Sequence, residues 1–315
     1  MPVMEKTSIK SAIILIITSV FWGVGFVAQR AGGDAFPPYT FNASRFILGG
    51  LVLLPLVVFI RKKDARIYDA AHIPPLKNSI TAGAVCGVFL AFASTLQQLG
   101  ITIGHSAGKA AFLTACYIVL VPVIGVFFGR KCPLRVWVAV GITLVGLYLL
   151  CAGESLALSP ADILLLLCAL CFAGQILMID RFVKDAEAVP FACTQFFMAG
   201  FLVLIPAVCL ELVPDSKAWC DTIMAADSSG WEALIYAGIG SSAGGYTLQI
   251  VGQKGIHPTV ASVIMSLESV FGVLSGWLIL GEKLSPREIA GCVLIFAAVL
   301  LAQIPFSQNL RKKIL

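Results

Sequence analysis

Residues 266–302 read SLESVFGVLSGWLILGEKLSPREIAGCVLIFAAVLLA, two apolar runs joined by a short polar turn at residues 281–286. Each run is long enough to cross the hydrocarbon core of a bilayer as an α-helix. One carboxylate, Glu268, lies inside the first run. A charge near the bilayer centre costs about 2.5–3.5 kcal/mol on insertion scales and marks function by default. The stretch therefore predicts a membrane protein with a functional carboxylate among its helices.

The composition extends this prediction to the whole chain, because 59% of the 315 residues are hydrophobic and only 12% are charged. Soluble domains have about 25% charged residues. No stretch between the apolar runs is long enough for a soluble domain. We therefore predict an all-α polytopic membrane protein with ten transmembrane helices, at residues 10–29, 37–60, 78–100, 105–128, 134–152, 160–182, 188–210, 230–252, 257–280 and 286–305.

The two halves of the chain repeat. A constant shift of 152 positions pairs many identical residues without a gap: Pro38 with Pro190, Thr95-Leu96-Gln97 with Thr247-Leu248-Gln249, Gly100 with Gly252, His105 with His257, Gly129 with Gly281, Lys131 with Lys283 and Arg135 with Arg287. Residues 1–152 and 153–315 are thus predicted to form two five-helix repeats. Because five is an odd number of spans, the second repeat is inverted relative to the first.

Inverted repeats have a mechanical consequence. Two similar halves related by an axis in the membrane plane can exchange conformations, and a cavity that was open outward then opens inward around a site near the midplane. This alternating access favours a carrier over a channel or a receptor.

The basic residues predict the orientation. With the N-terminus in the cytoplasm, 16 of the 22 Lys and Arg residues fall in inner segments and five in outer ones, while Arg45 lies within the second span. This asymmetry follows the positive-inside rule, so both termini are predicted to be cytoplasmic in a plasma or inner membrane. Residues 211–229, which include Asp215, Asp221 and Asp227, face outward.

The candidate substrate-binding residues are polar or aromatic side chains inside apolar runs. Glu268 can bind a cationic group or carry a coupling proton, or it can be a buried carboxylate that fixes helix packing. Amide side chains can orient a zwitterion or hold helices together, and aromatic rings can line a cavity or pack between helices. Beside Glu268, these candidates are Gln97, Gln249, Gln175, Trp22, Tyr117 and Tyr246, with Gln195 as a further amide.

Other polar residues indicate packing. Arg45 is expected to be mainly structural and to extend its side chain towards the membrane surface. The glycines of Gly83–Gly87 and Gly272–Gly276 follow the G-x-x-x-G spacing, which lets helices approach closely. Most of the ten cysteines lie in apolar runs, where Cys acts as a small hydrophobic residue. His105 and His257 have no third ligand nearby, so neither a metal nor a cofactor is predicted.

One motif suggests an enzyme, because residues 240–244 (GSSAG) match the G-x-S-x-G pattern of serine hydrolases. Such a nucleophile needs a His beside Ser242. His257 lies beyond the inner end of the span, which is some ten residues, or about 15 Å at 1.5 Å per residue, farther along the helix axis than Ser242. The glycines are better explained by a thin, flexible helix beside a cavity, and we do not predict an enzyme.

Residues 266–302 also resemble the second-half signature of the EamA family in the drug/metabolite transporter superfamily. The resemblance is carried by Leu267-Glu268, Gly276-Trp277, Gly281-Glu282, the turn Leu284-Ser285-Pro286 and a final helix with Gly291. Arg45-Phe46 and, more weakly, Thr114–Tyr117, Val121-Pro122 and Gly129-Arg130 match the first half. Where the family often has Pro after the Glu, this chain has Ser269, and Arg130 replaces a Glu.

The resemblance implies a ten-helix carrier whose central cavity is lined by spans one, three, four, six, eight and nine. Its implied substrates are small organic metabolites, of which amino acids or related compounds, moved by export, are the first hypothesis. A sugar, nucleotide-sugar or cofactor carrier is the alternative, disfavoured because phosphates need several cations. The expected partners are the substrate, the lipid bilayer and coupling protons, without nucleic acid. The sequence leaves open whether two copies form a homodimer.

Overall fold

The computed structural model describes residues 2–67, 74–104, 107–130, 132–151, 159–280 and 284–303, and its regular elements are all helical. The α-helices are α1 (Pro2–Ala35), α2 (Pro38–Ile67), α3 (Leu76–Gly104), α4 (Ala107–Ala115), α5 (Tyr117–Phe127), α6 (Leu134–Cys151), α7 (Pro160–Phe182), α8 (Ala188–Pro206), α9 (Ser216–Ala225), α10 (Ser228–Ile235), α11 (Thr247–Gln253), α12 (Pro258–Met265), α13 (Leu267–Leu280) and α14 (Pro286–Gln303). His105, Lys131, residues 281–283 and the C-terminal residues 304–315, on which parts of the repeat and orientation predictions rest, lie outside the described residues.

The helices have the lengths and surfaces of a membrane protein. Within the described ranges, eight helical stretches are long and apolar enough to span a bilayer, and Leu134–Leu150 is a shorter apolar helix. Large apolar side chains such as Phe59, Phe92 and Leu278 are exposed on the outside of the bundle. Such a surface suits lipid, so the chain is a multi-pass membrane protein.

The predicted fourth and ninth spans are each built from two helices. Cys116 separates α4 from α5, and Ser266 separates α12 from α13. Although the chain has Ser269 where the family often has a proline, the ninth span is still interrupted three residues earlier, at Ser266. The hydroxyls of Ser262 and Ser266 donate to the carbonyls of Thr259 and Val263, at 2.8 and 2.7 Å. Hydroxyls that bond the backbone in this way compete with regular helical hydrogen bonding.

Two other helices widen into π-helical turns, at Ala207–Leu212 after α8 and at Tyr236–Tyr246 between α10 and α11. The second stretch contains the glycine-rich sequence that resembled a hydrolase motif. A Cβ atom on Gly238 would lie 2.7 Å from Leu48 Cδ2, so α2 packs directly against this thin backbone. Wide turns of this kind occur frequently at functional sites.

Helices that occupy equivalent places in the two halves run antiparallel. The backbone N–H groups of Tyr39 and Thr40, at the start of α2, donate to the Glu211 carboxylate beyond α8 at 2.8 Å. At the other end of the pair, Arg61 of α2 forms an ion pair with Glu187, the residue before α8. The start of α2 therefore lies beside the end of α8, and the end of α2 lies beside the start of α8.

The pair α6 and α14 has the same antiparallel relation. A Cβ atom on Gly146 would lie 2.7 Å from Ile295 Cγ1, whereas one on Gly291 would lie 3.1 Å from Leu150 Cδ2, so the later residue of α6 meets the earlier residue of α14. Two further sets of contacts resemble each other: α3 packs on α7 and α8, while α1 and α2 both pack on the π-helical turn Tyr236–Tyr246.

Small residues set the distances between these helices. A Cβ atom on Gly83 would lie 2.6 Å from the Phe191 carbonyl oxygen, and one on Gly87 would lie 2.6 Å from Met198 Cβ. The prediction that Gly83 and Gly87 allow close helix packing is confirmed for α3 against α8. In the same way, Gly23 of α1 lies directly against α13.

Candidate functional site

A cavity of about 430 Å³ lies at the centre of the bundle, and all seven predicted binding residues line it: Trp22, Gln97, Tyr117, Gln175, Tyr246, Gln249 and Glu268. They come from α1, α3, α5, α7, the Tyr236–Tyr246 turn, α11 and α13. This volume counts all the empty space between the lining side chains, including the part that is open to the surroundings. The sequence therefore identified side chains that the fold brings together.

Glu268 is buried in the first turn of α13, only 4% exposed. The Tyr117 hydroxyl donates a hydrogen bond to its Oε1 at 3.2 Å. No ion pair to Glu268 is formed within the part of the chain that the structure describes. The position at a helix N-terminus favours a negative charge, since the helix dipole places partial positive charge there. The carboxylate is thus held in place while one side remains available to the cavity.

The amide side chains form a relay between helices. Gln249 Nε2 donates to Gln175 Oε1 at 3.4 Å, and Gln175 Nε2 donates to Gln195 Oε1 at 3.5 Å. Gln97 Nε2 donates to Thr114 Oγ1 at 3.3 Å. Gln195 is buried behind the cavity and does not line it. The amides consequently join helices, and Gln97, Gln175 and Gln249 also line the cavity.

Aromatic rings form one wall. The rings of Trp22 and Tyr246 lie 4.8 Å apart at their centroids, and Tyr246 also contacts Phe196 edge-on at 6.0 Å. Trp22 Nε1 is buried and has no hydrogen-bond partner among the described residues. Phe26 and Phe172 extend the apolar wall.

The expectation that the Arg45 side chain extends towards the membrane surface is wrong. Its side chain is only 2% exposed and lines the cavity instead of reaching the membrane surface. Nε donates to Asn42 Oδ1 at 2.8 Å, and the guanidinium lies over the Phe46 ring, 4.7 Å from its centroid. These contacts draw the side chain into the bundle, so α2 joins the six spans that the family resemblance implied.

Sequence reasoning missed further lining residues, which are Gln29, Thr114, Ser241, Phe26, Phe172 and Ile176. Gln29 and Thr114 lie near helix ends, where polar residues are unremarkable, and the phenylalanines resemble ordinary core residues. Ser241 lies inside a predicted span, but small hydroxyl residues are common between packed helices and give no clear signal in the sequence.

Within the described ranges, no hydrogen bond joins Ser242 to a histidine, as a hydrolase site would require. Ser242 Oγ has no hydrogen-bond partner in the described part of the chain. His257 is at the start of α12, where Nδ1 accepts a hydrogen bond from the Thr259 N–H at 3.3 Å. Among the described residues there is also no cluster of three or more His, Cys, Asp or Glu side chains arranged to hold a metal ion.

Comparison with known proteins agrees with this architecture. Similar curated proteins include an uncharacterized transporter of Archaeoglobus fulgidus, 27% identical over 92% of this chain and 84% of its own. The uncharacterized inner membrane transporter YedA of Escherichia coli K12 is 23% identical over 90% and 87%. The uncharacterized transporter YoaV of Bacillus subtilis is 24% identical over 96% and 99%.

A solved structure titled "Crystal structure of protein" has the same fold, with a TM-score of 0.70, 17% identity, and coverage of 93% of this chain and 96% of the other. The EamA-like transporter family matches residues 9–152 and again residues 159–303. With two family matches over nearly the whole of a multi-pass helical chain, the protein belongs to the EamA-like transporter family.

Proposed function

We propose that the protein is a secondary carrier that exports amino acids or related small metabolites across the cell membrane by alternating access. The observation that carries this proposal is Glu268, a buried carboxylate that lines a central cavity and has no cationic partner in the described part of the chain. Burying an unpaired charge is costly, so a cationic group of the substrate, or a proton, is expected to neutralise it.

The antiparallel pairing of equivalent helices supports the alternating mechanism. The pairs α2 with α8 and α6 with α14 are what an axis in the membrane plane would produce, and parallel repeats would not produce them. We accordingly propose ten membrane-spanning helices in two inverted repeats, residues 1–152 and 153–315. Both interrupted spans, α4–α5 and α12–α13, place their breaks next to the cavity residues Tyr117 and Glu268.

A carrier of sugars, nucleotide-sugars or cofactors is the alternative. Phosphate-bearing substrates would favour several cations, and Arg45 is the one cationic side chain that lines the cavity in the described structure. The composition of the cavity wall therefore favours substrates without phosphate.

Uptake into proteoliposomes tests the function. Vesicles containing the purified protein are preloaded with a mixture of amino acids and related metabolites, and exchange with labelled external solutes is measured between pH 5.5 and 8.5. We expect exchange by the parent protein. Glu268→Gln should reduce exchange at least tenfold and abolish its pH dependence, because the amide keeps the shape but neither ionises nor attracts a cation.

Glu232→Gln is the matched control, since Glu232 is exposed on α10 and lies outside the cavity. This variant should exchange solutes like the parent. If Glu268→Gln exchanges them at the parental rate with the parental pH profile, Glu268 is a packing residue and the proposal loses its main support.

A further inference from the structure

We propose that the cavity is a two-charge site, in which Arg45 binds a carboxylate of the substrate while Glu268 binds its ammonium group. The substrate is then a zwitterion with an apolar side chain. This inference rests on the proposed carrier function and specifies its substrate class.

The orientation of the Arg45 guanidinium is fixed by its neighbours, as expected for a group that binds a ligand. Asn42 Nδ2 donates to Ser94 Oγ at 3.1 Å and to Thr95 Oγ1 at 3.2 Å, and this orients Asn42 Oδ1 towards Arg45 Nε. Phe46 covers one face of the guanidinium. Two helices thus fix the plane of the group before any ligand is present.

One end of this guanidinium has no hydrogen-bond acceptor among the residues that the structure describes. Arg45 Nη2 is buried and has no hydrogen-bond partner among the described residues, and Arg45 forms no ion pair there. An arginine whose charge and donor are both unsatisfied in a low-dielectric interior is strongly disfavoured unless a ligand completes its hydrogen bonds. The planar guanidinium matches a carboxylate, which can accept two parallel hydrogen bonds from it.

The two charges of the cavity remain separate. Arg45 and Glu268 line the same space, yet they do not form an ion pair with each other. A purely cationic substrate would leave Arg45 buried without an opposite charge. A purely anionic substrate would leave an ionised Glu268 buried without an opposite charge. A ligand with one charge of each sign satisfies both groups at once without a bound proton, which gives discrimination against singly charged compounds.

The rest of the cavity suits the body of such a ligand. Trp22, Tyr246, Phe26 and Phe172 supply apolar and aromatic surface. The buried Trp22 Nε1 and Gln249 Oε1 have no described partner and offer one further donor and one acceptor. An amino acid with a large apolar side chain fits this combination, so phenylalanine is a suitable probe.

Three compounds separate the two charges: L-phenylalanine, L-phenylalaninamide, which lacks the carboxylate, and N-acetyl-L-phenylalanine, which lacks the ammonium group. Calorimetric titration of the purified full-length protein in detergent measures each Kd. We expect each modified compound to bind about 10- to 100-fold more weakly than phenylalanine, as for the loss of one hydrogen-bonded charge.

Variants then assign each charge to its partner. Arg45→Met should abolish the preference for phenylalanine over phenylalaninamide and leave the binding of the amide unchanged. Arg45→Lys should restore part of that preference. Glu268→Gln should abolish the preference over the N-acetyl compound. Arg181→Met, which removes an exposed cation at the end of α7 outside the cavity, should behave like the parent.

Equal weakening of phenylalanine and its amide by Arg45→Met would show that Arg45 only supports the fold, and it would overturn the proposal. If that variant does not fold, the parent decides alone: equal Kd values for the three compounds, or no binding of any of them, contradict a two-charge site. Proteoliposomes distinguish this failure from that of the carrier. Exchange confined to solutes without paired charges refutes the site alone, whereas no exchange of any solute refutes the transport function.

Discussion

Tyr117 and Glu268 meet across the cavity although they are 151 positions apart in the sequence. Each follows closely on an interruption of its span, at Cys116 and Ser266 respectively. The Tyr117 hydroxyl is the only hydrogen-bond donor that the described structure offers to the Glu268 carboxylate. This contact therefore couples the two halves of the molecule at the place where we propose that substrate binds.

We expect Tyr117→Phe to lower the rate of solute exchange by about 3- to 10-fold, because a net hydrogen bond to a charged group contributes about 1.5–3 kcal/mol and water or substrate can replace part of it. The measurement is uptake into proteoliposomes. Tyr236→Phe is the control, since the Tyr236 hydroxyl donates to the Phe21 carbonyl at 3.0 Å and does not line the cavity. Equal rates for the two variants would contradict a role of Tyr117 at the site.

The position of some cavity residues could be predicted from the sequence, and that of others could not. Glu268 and Gln249 were identifiable because a charge or an amide deep in an apolar run needs a partner. Arg45 was assigned to the surface because the length of its side chain allows it to snorkel. The contacts with Asn42 and Phe46 that turn it inward come from the three-dimensional arrangement, in which Asn42 is itself oriented by α3.

Among the elements, the contact between α1 and α13 matters most for the site. Helix α13 carries Glu268, and α1 fixes the position of α13. A Cβ atom on Gly23 would lie 2.5 Å from Phe271 Cβ and 2.7 Å from the Gly272 backbone nitrogen, three and four residues after Glu268. Neither atom is the end of a flexible side chain, so a larger residue must move the helices apart.

Gly23→Ala should therefore destabilise the protein by about 1–3 kcal/mol, as for other overpacked positions, and should reduce transport because α13 is displaced. Thermal unfolding in detergent measures the first effect. Gly141→Ala in α6 is a matched control, since a Cβ atom there would have no atom within 4 Å. We expect it to unfold at the parental temperature or above. Parental stability of Gly23→Ala would show that the helices tolerate separation here.

The elements themselves were largely predictable. Eight of the ten predicted runs correspond to helical stretches long and apolar enough to span a bilayer, because a continuous apolar stretch in lipid satisfies its backbone only as a helix. The run at 134–152 is the shorter helix α6, and the run at 230–252 is divided into α10, the π-helical turn and α11. The interruptions were not predictable at the right residue. A proline was the expected signal, whereas the hydroxyls of Ser262 and Ser266 bond the backbone instead.

At the scale of the whole molecule, the distribution of charge predicts which side each end of the bundle faces. Arg130 pairs with Asp180 and Arg61 with Glu187, and these four residues belong to the predicted cytoplasmic end. Glu211 and Trp219, which contact Thr40, belong to the opposite end. The fold alone does not distinguish inside from outside.

Chemical labelling tests this orientation. Two single-cysteine variants retain either Cys220, exposed on α9, or Cys132, between α5 and α6. A membrane-impermeant maleimide added to intact cells should modify Cys220 and should reach Cys132 only after permeabilisation. A reporter fused after Leu315 should be active on the cytoplasmic side. Labelling of both cysteines from the same side would contradict the ten-span arrangement.

The proposed repeat also has a thermodynamic consequence at Glu268, which the shift of 152 positions pairs with the uncharged Cys116. Two identical inverted halves would give the empty carrier two resting states of equal energy, and neither direction would be preferred. A carboxylate in only one half removes that degeneracy, and each 1.4 kcal/mol of difference shifts the resting populations tenfold. The residues that differ between the two halves would then determine in which direction transport is faster. Changing those residues should alter the ratio of inward-open to outward-open carriers without altering the fold.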